Sequence, residues 1–149
     1  MNINLHILNA SGSLTLFSED IKRSFEKFKE SLAGISGIPD IDVVVSDDSS
    51  YAIPEIGIGG YTPNANSIFI YLDSKFPNLS SSIAKELKRT FTHEIHHAMR
   101  WNVLGYGKTL AEAIITEGLA DHFDLEINGG NPEPWSKALT EDQIRELLL

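Results

Sequence analysis

The chain has 149 residues, 42% of them hydrophobic and 22% charged, a length and balance that suit one domain with its own core. A formal net charge of −9 with no basic stripe repels phosphate backbones, which sets nucleic acid aside as a partner and leaves a preference for cationic substrates open. There is no cysteine, so disulfides, thiolate nucleophiles and Cys-type zinc sites are excluded, and His and carboxylate are the only strong metal ligands left.

Ile3, Leu5 and Ile7 alternate with Asn2, Asn4 and His6, the period-two pattern of a half-buried strand. The same stretch lacks a basic segment followed by an apolar run, so it does not read as a signal peptide, and a cytoplasmic protein is expected. From Ser18 the period changes: Ile21, Phe25, Phe28 and Leu32 make one helical stripe, with Gly34 or Gly37 as the stop. Ile41 to Val45 is a β-branched run that predicts a buried strand, and Ser67 to Leu72 predicts another. Between them, Tyr51 to Tyr61 is rich in Gly and holds Pro54, which points to irregular or edge structure. Ser80 to Ser82 can cap a long helix reaching about Asn102, with Ile83, Leu87, Phe91, Ile95 and Ala98 or Met99 on its buried side. A turn at Gly105-Tyr106-Gly107 leads to a second helix, from about Thr109 to Ile127, which Gly129 to Pro132 ends. Thr140 and Gln143 form a capping box for a last short helix, Ile144 to Leu149. The order β-α-β-β-α-α gives an α+β domain spanning residues 1–149, its small sheet packed on a long helix. No apolar run reaches the length of about 18 residues that a membrane span needs, and a monomer is expected.

The long helix carries His93-Glu94-Ile95-His96-His97, which reads H-E-x-x-H. Four residues along a helix advance roughly 400°, so His93 and His97 project from one face, and Glu94 stands about 100° round, near a water that such a metal would hold. A hydrolytic zinc takes three protein ligands and leaves a fourth position for water. Glu117, separated from His97 by nineteen intervening residues, can complete the set, and Asp121, one turn further on, can accept the outer N–H of a ligating imidazole. One zinc ion per chain is therefore expected. His96 is also one turn from His93, but on the far side of it from Glu94, so His97 is expected to ligate and His96 to pack. His122 is expected to be exposed, and His6 to carry no function. Asp47-Asp48-Ser49-Ser50 lacks the spacing of a calcium loop, and Gly57 to Gly60 is too short for a dinucleotide loop.

His93-Glu94-x-x-His97 followed by Glu117-x-x-x-Asp121 resembles the gluzincin branch of the zincin metallopeptidases, with a ligand spacing similar to that of thermolysin-type enzymes. More narrowly, the run His93 to Trp101 with its doubled histidine and Arg100, and the run Ile115 to Asp121, resemble a family of predicted Zn-dependent proteases catalogued as a domain of unknown function. The likeness is sharp from Phe91 to Phe123, and fainter from Gly59 to Asp73 and from Trp135 to Leu147. It implies a zincin-like fold, with His93, His97 and Glu117 as zinc ligands and Glu94 as general base. It also implies that the strand of Ser67 to Leu72, with Ile68, Phe69, Ile70 and Tyr71, is the edge that pairs with an extended peptide substrate. Gluzincins stabilise the oxyanion with a His, Tyr or Arg; the candidates here are Arg100, Tyr106, Tyr61 and Tyr71, and the residues do not choose among them. Family members continue in further helix where this chain stops at Leu149, so a short or truncated member is expected.

These readings converge on a zinc-dependent peptidase acting on peptides or proteins, with an open cleft suited to loops or disordered chains. Two alternatives stand beside it: a zinc-bearing regulatory domain with little hydrolysis, and a zinc hydrolase of another amide or ester. An intact Glu94 weighs against the first, since a purely structural site needs no base. A chain without metal is disfavoured, because burying two imidazoles and two acids together without a cation is costly.

Overall fold

A computed structural model of the chain describes residues 2–132 and 140–147. It is an α+β protein with a four-stranded mixed sheet in the order β1-β2-β4-β3. Strand β1 (Ile3–Ile7) leads through a short 3₁₀ turn (Thr15–Phe17) into helix α1 (Ser18–Ser31), and β2 (Ile41–Asp47) follows. Strands β3 (Ile58–Asn64) and β4 (Ser67–Leu72) form a hairpin, after which α2 (Leu79–Ser82), a π-helical turn (Ile83–Leu87) and α3 (Lys88–Leu104) run in succession. Helix α4 (Leu110–Asn128) and helix α5 (Glu141–Leu147) complete the described residues. No helix among them is long and apolar enough to cross a membrane.

The strands at Ile3–Ile7 and Ser67–Leu72 lie where the alternation places them, and β2 runs two residues beyond Val45. Alternation also sorts the faces. Val43, Val45, Ile68, Ile70 and Leu72 turn toward the helices and are fully buried. They meet Ile21, Phe25, Phe28 and Leu32 from α1, and Ile83, Leu87, Phe91, Ile95 and Ala98 from the π turn and α3. The rings of Phe25, Phe28 and Phe91 form the centre of this layer, their centroids 5.3–6.0 Å apart. Phe69 and Tyr71 stand on the opposite face, where Tyr51 covers Tyr71.

One expectation is overturned. β4 is not the sheet edge: it pairs in parallel with β2 and antiparallel with β3, so Ile68, Phe69, Ile70 and Tyr71 have neighbours on both sides. Ile68 and Ile70 are moreover core residues. The reason is the hairpin. The Gly-rich segment pairs beside β4 and becomes an outer strand, and Pro63 falls at its register irregularity, where a proline is tolerated. The reading of that segment as edge structure therefore holds for Ile58 to Tyr61.

The helix start also differs. Ser80 to Ser82 lie inside α2, and the residue before the helix is Asn78, held in the left-handed region at φ 84°. The π turn that follows loosens the ladder, and the buried hydroxyl of Ser24 on α1 donates to the Ile83 carbonyl, 3.2 Å away. α3 ends against Gly105, whose φ of 65° takes the chain out of the helix. α4 starts on a capping box between Thr109 and Glu112. At the C-terminal end, Thr140 and Gln143 reciprocate the bonds of the expected capping box, while Leu148 and Leu149 lie outside the described residues.

Candidate metal centre

α3 crosses beneath the outer strand β3, with the hydrophobic stripe Phe91, Ile95 and Ala98 buried against the core. That packing fixes the rotation of the helix. His93, Glu94 and His97 are thereby set along the flank where α3 meets α4 and β3, with Glu94 only 5% exposed and His97 equally buried. α4 lies alongside, holding Thr116, Ala120 and Asp124 inward. Its adjoining face presents Glu117 and Asp121 to the histidines.

Three donor atoms converge. Nε2 of His93 and Nε2 of His97 are 3.0 Å apart, with the rings nearly perpendicular at 76°. Glu117 Oε2 lies 3.1 Å from the first and 3.4 Å from the second. A tetrahedral ion with bonds of about 2.0–2.1 Å needs ligand atoms roughly 3.3–3.4 Å apart, so this triangle has the dimensions of one tetrahedral face. The donor chemistry agrees. Asp121 Oδ1 sits 3.0 Å from Nδ1 of His93 and takes its N–H, which turns the Nε2 lone pair toward an imidazole nitrogen and a carboxylate oxygen. Three such donor atoms facing one point can hold a cation between them, and two imidazoles with one carboxylate are a ligand set zinc favours. The residues fit the metal.

Glu94 stands beside this triangle. One of its carboxylate oxygens lies within 4.8 Å of a ring nitrogen of each of His93 and His97, so it is close enough to reach an ion or a water held there. Its oxygen Oε2 accepts a 2.7 Å bond from the Thr62 hydroxyl on β3. A Cβ at Gly60, also on β3, would fall against Oε1 and only 2.6 Å from Cγ, so the carboxylate lies flat on bare backbone. Thr62 and Gly60 are the contacts that sequence reasoning missed. No motif spacing links them to Glu94, because strand register and helix packing bring them together.

The electrostatics follow from these contacts. Burial pushes the Glu94 carboxyl above its ordinary value, against the pull of His97, His93 and the Thr62 bond. Burial alone would lower His93, but Asp121 and Glu117 override it and raise the ring to about 10. Burial also works to raise Glu117, yet the bonds from His93, His97 and Tyr106 hold it below the usual carboxylate range. His96 is lowered to about 4, chiefly by burial, and packs its ring on Phe123 at 5.2 Å, away from the triangle. His122 is exposed.

The four oxyanion candidates part ways. Tyr106 is at the centre: its hydroxyl donates to Glu117 Oε1 at 2.5 Å, which pushes its own value up to about 12, and its ring packs on His97. Tyr71 is on the far face of the sheet against Tyr51, and Tyr61 is 56% exposed on β3. The buried Arg100 Nε makes no hydrogen bond to any described residue, and its cation helps to lower the neighbouring His96.

An α+β domain that sets two histidines of one helix against a carboxylate of the next is a candidate metal-binding hydrolase. The profile of the family described as "Predicted Zn-dependent protease (DUF2268)" matches residues 15–149, and the chain belongs to that family. No curated protein and no solved structure gives a significant match.

Proposed function

We propose that this protein is a zincin-like, gluzincin-type peptidase that binds one zinc ion per chain through His93, His97 and Glu117. The observation that carries the reading is the triangle of 3.0, 3.1 and 3.4 Å formed by His93 Nε2, His97 Nε2 and Glu117 Oε2, with a buried carboxylate beside it. A zinc ion bound there supplies Lewis acidity, lowering the pKa of a ligated water toward about 7 and polarising a carbonyl.

The remaining work falls to the chain. Glu94 takes the proton of the attacking water and later delivers it to the leaving amine, and its raised carboxyl value makes it a better acceptor than an exposed glutamate. Asp121 holds His93 in the tautomer that presents Nε2. Tyr106 braces Glu117, so its hydroxyl proton is committed to that carboxylate. The outer edge of β3 offers its backbone groups to an extended peptide, which would add to the sheet as a fifth strand beside Glu94.

The test pairs elemental analysis with a peptide-library screen. The parent protein should carry close to one zinc per chain, and His97→Ala little. Glu94→Gln should keep the metal and lose about 100-fold or more in kcat. No zinc after reconstitution, or a Glu94→Gln variant as active as the parent, overturns the proposal.

A further inference from the structure

We propose that Thr62 is the positioning residue of the general base. Its hydroxyl orients the Glu94 carboxylate so that Oε1 alone is left to receive a proton. The inference rests on the peptidase reading for its kinetic consequence, but its geometry stands on the fold.

Alternation along β3 turns Gly60 and Thr62 toward α3 and Tyr61 away from it. Thr62 is 3% exposed and Tyr61 56%, and a Cβ at Gly60 would point at Glu94. The two inward positions divide the carboxylate between them. At Gly60 there is no side chain, and a Cβ would come 2.6 and 2.7 Å from Glu94 Cγ and Cδ, so the head of the side chain can occupy that space only because the residue is glycine. At Thr62 the hydroxyl meets Oε2 at 2.7 Å and the Glu94 carbonyl at 3.1 Å. A hydroxyl has one proton to give, and the shorter, charge-assisted bond to the carboxylate takes the larger share of it.

Oε2 is thus occupied. Oε1 accepts no hydrogen bond from any described residue. The Thr62 hydroxyl is also the single side-chain donor to Glu94 among the described residues, so without it the buried carboxylate keeps no side-chain hydrogen bond to fix its terminal torsion, only packing against Gly60. β-Branching holds the χ1 of threonine to few wells, so the donor itself is well fixed. The same strand that would dock a peptide therefore also orients the base, and substrate and Glu94 share one register. Loss of the hydroxyl should then act on the chemical step and leave substrate binding alone.

The experiment compares Thr62→Val, which keeps the shape and removes the donor, with Thr62→Ser, which keeps the donor. For each variant one measures zinc per chain, Tm, kcat and KM on the peptide the parent cleaves best, and the crystal structure of the zinc-loaded protein. Thr62→Val should lose about 10- to 100-fold in kcat, with KM within about twofold and the metal retained. Thr62→Ser should stay within about threefold of the parent. The crystal structures should show the Glu94 carboxylate rotated away from β3 in Thr62→Val and in place in Thr62→Ser. Equal kcat in Thr62→Val, an equal loss in both variants, or an unmoved carboxylate in Thr62→Val overturns the inference. If the parent cleaves no peptide, the peptidase reading fails, and the position of the carboxylate in the two crystal structures still decides the role of Thr62.

Discussion

Asp121 sets the character of His93. By accepting from Nδ1 at 3.0 Å it directs the ring's other nitrogen toward His97 and Glu117, and it raises the basicity of that nitrogen. Asp121→Asn should keep the fold and weaken zinc about 10- to 100-fold, measured by competition with a chromogenic chelator. The sign of the pH dependence follows from the same contacts. His93 is raised to about 10, so at neutral pH a proton competes with the metal for it. Zinc affinity should therefore fall as pH falls from 8 to 6, and an affinity that rose on acidification would contradict this arrangement. The grouping of these four side chains was largely legible from spacing. His93 and His97 lie one turn apart on one helix, and Glu117 and Asp121 one turn apart on the next. Thr62 and Gly60 were not legible, because they reach Glu94 across some thirty residues of chain and only through the register of β3.

At the scale of elements, the centre depends on how α3 and α4 are held together. Asp124 of α4 accepts from Arg89 of α3 at 2.8 Å on Oδ2, and from Asn128 at 2.7 Å on Oδ1. Asn128 also donates to Thr92, the residue before His93. This clamp lies one turn from Asp121 and sets the spacing that brings Glu117 to the histidines. Removing the carboxylate takes from the largely buried Arg89 guanidinium the oxygen that lies 2.7–2.8 Å from its Nε and Nη2, so Asp124→Ala should cost about 2–3 kcal/mol in chemical denaturation. The double variant Asp124→Ala with Arg89→Met should lose less than Asp124→Ala alone; a larger loss would show that the pair is not the source of the cost. Helical stripes identified α1 and α3 with their buried faces, since Phe25, Phe28, Phe91 and Ile95 recur at helical spacing. α4 was legible as a helix but not by its face. It carries Leu110, Ile114, Ile115 and Leu119 on exposed positions and buries Thr116 and Asp124, so hydrophobicity alone points the wrong way.

At the scale of the molecule, the loops that leave the sheet are tied at Asp47, at the end of β2. Its carboxylate accepts from the backbone N–H and the hydroxyl of Ser74, at 3.0 and 2.8 Å. Partial burial works to raise Asp47, but the bonds from Ser13 and Ser74 outweigh it and hold the group below its ordinary value. A carboxyl depressed in the folded state adds stability above the unfolded pKa of about 3.9 and loses it as pH falls through the folded value. Asp47→Asn should therefore cost about 1 kcal/mol at pH 6, and the gap in Tm between parent and variant should narrow as pH falls below about 3.9. A gap that widened on acidification would remove Asp47 from this role.

The sequence by itself determined the secondary elements that have a clean period, the α+β class, and the H-E-x-x-H with its downstream acids, because each of these is encoded by neighbours within a few residues. Only the tertiary structure decided which strand is the edge. Gly59, Gly60 and Pro63 argue against a strand locally, yet pairing with β4 makes one of them, and the apolar run Ser67 to Leu72 moves inside as a result. Tertiary packing likewise decided that Tyr106 meets Glu117 and that Glu94 rests on Gly60 beneath Thr62. These contacts depend on the rotation of α3 set by its buried stripe and on the register of β3. Both are properties of the assembled core, and no local stretch of the chain encodes them.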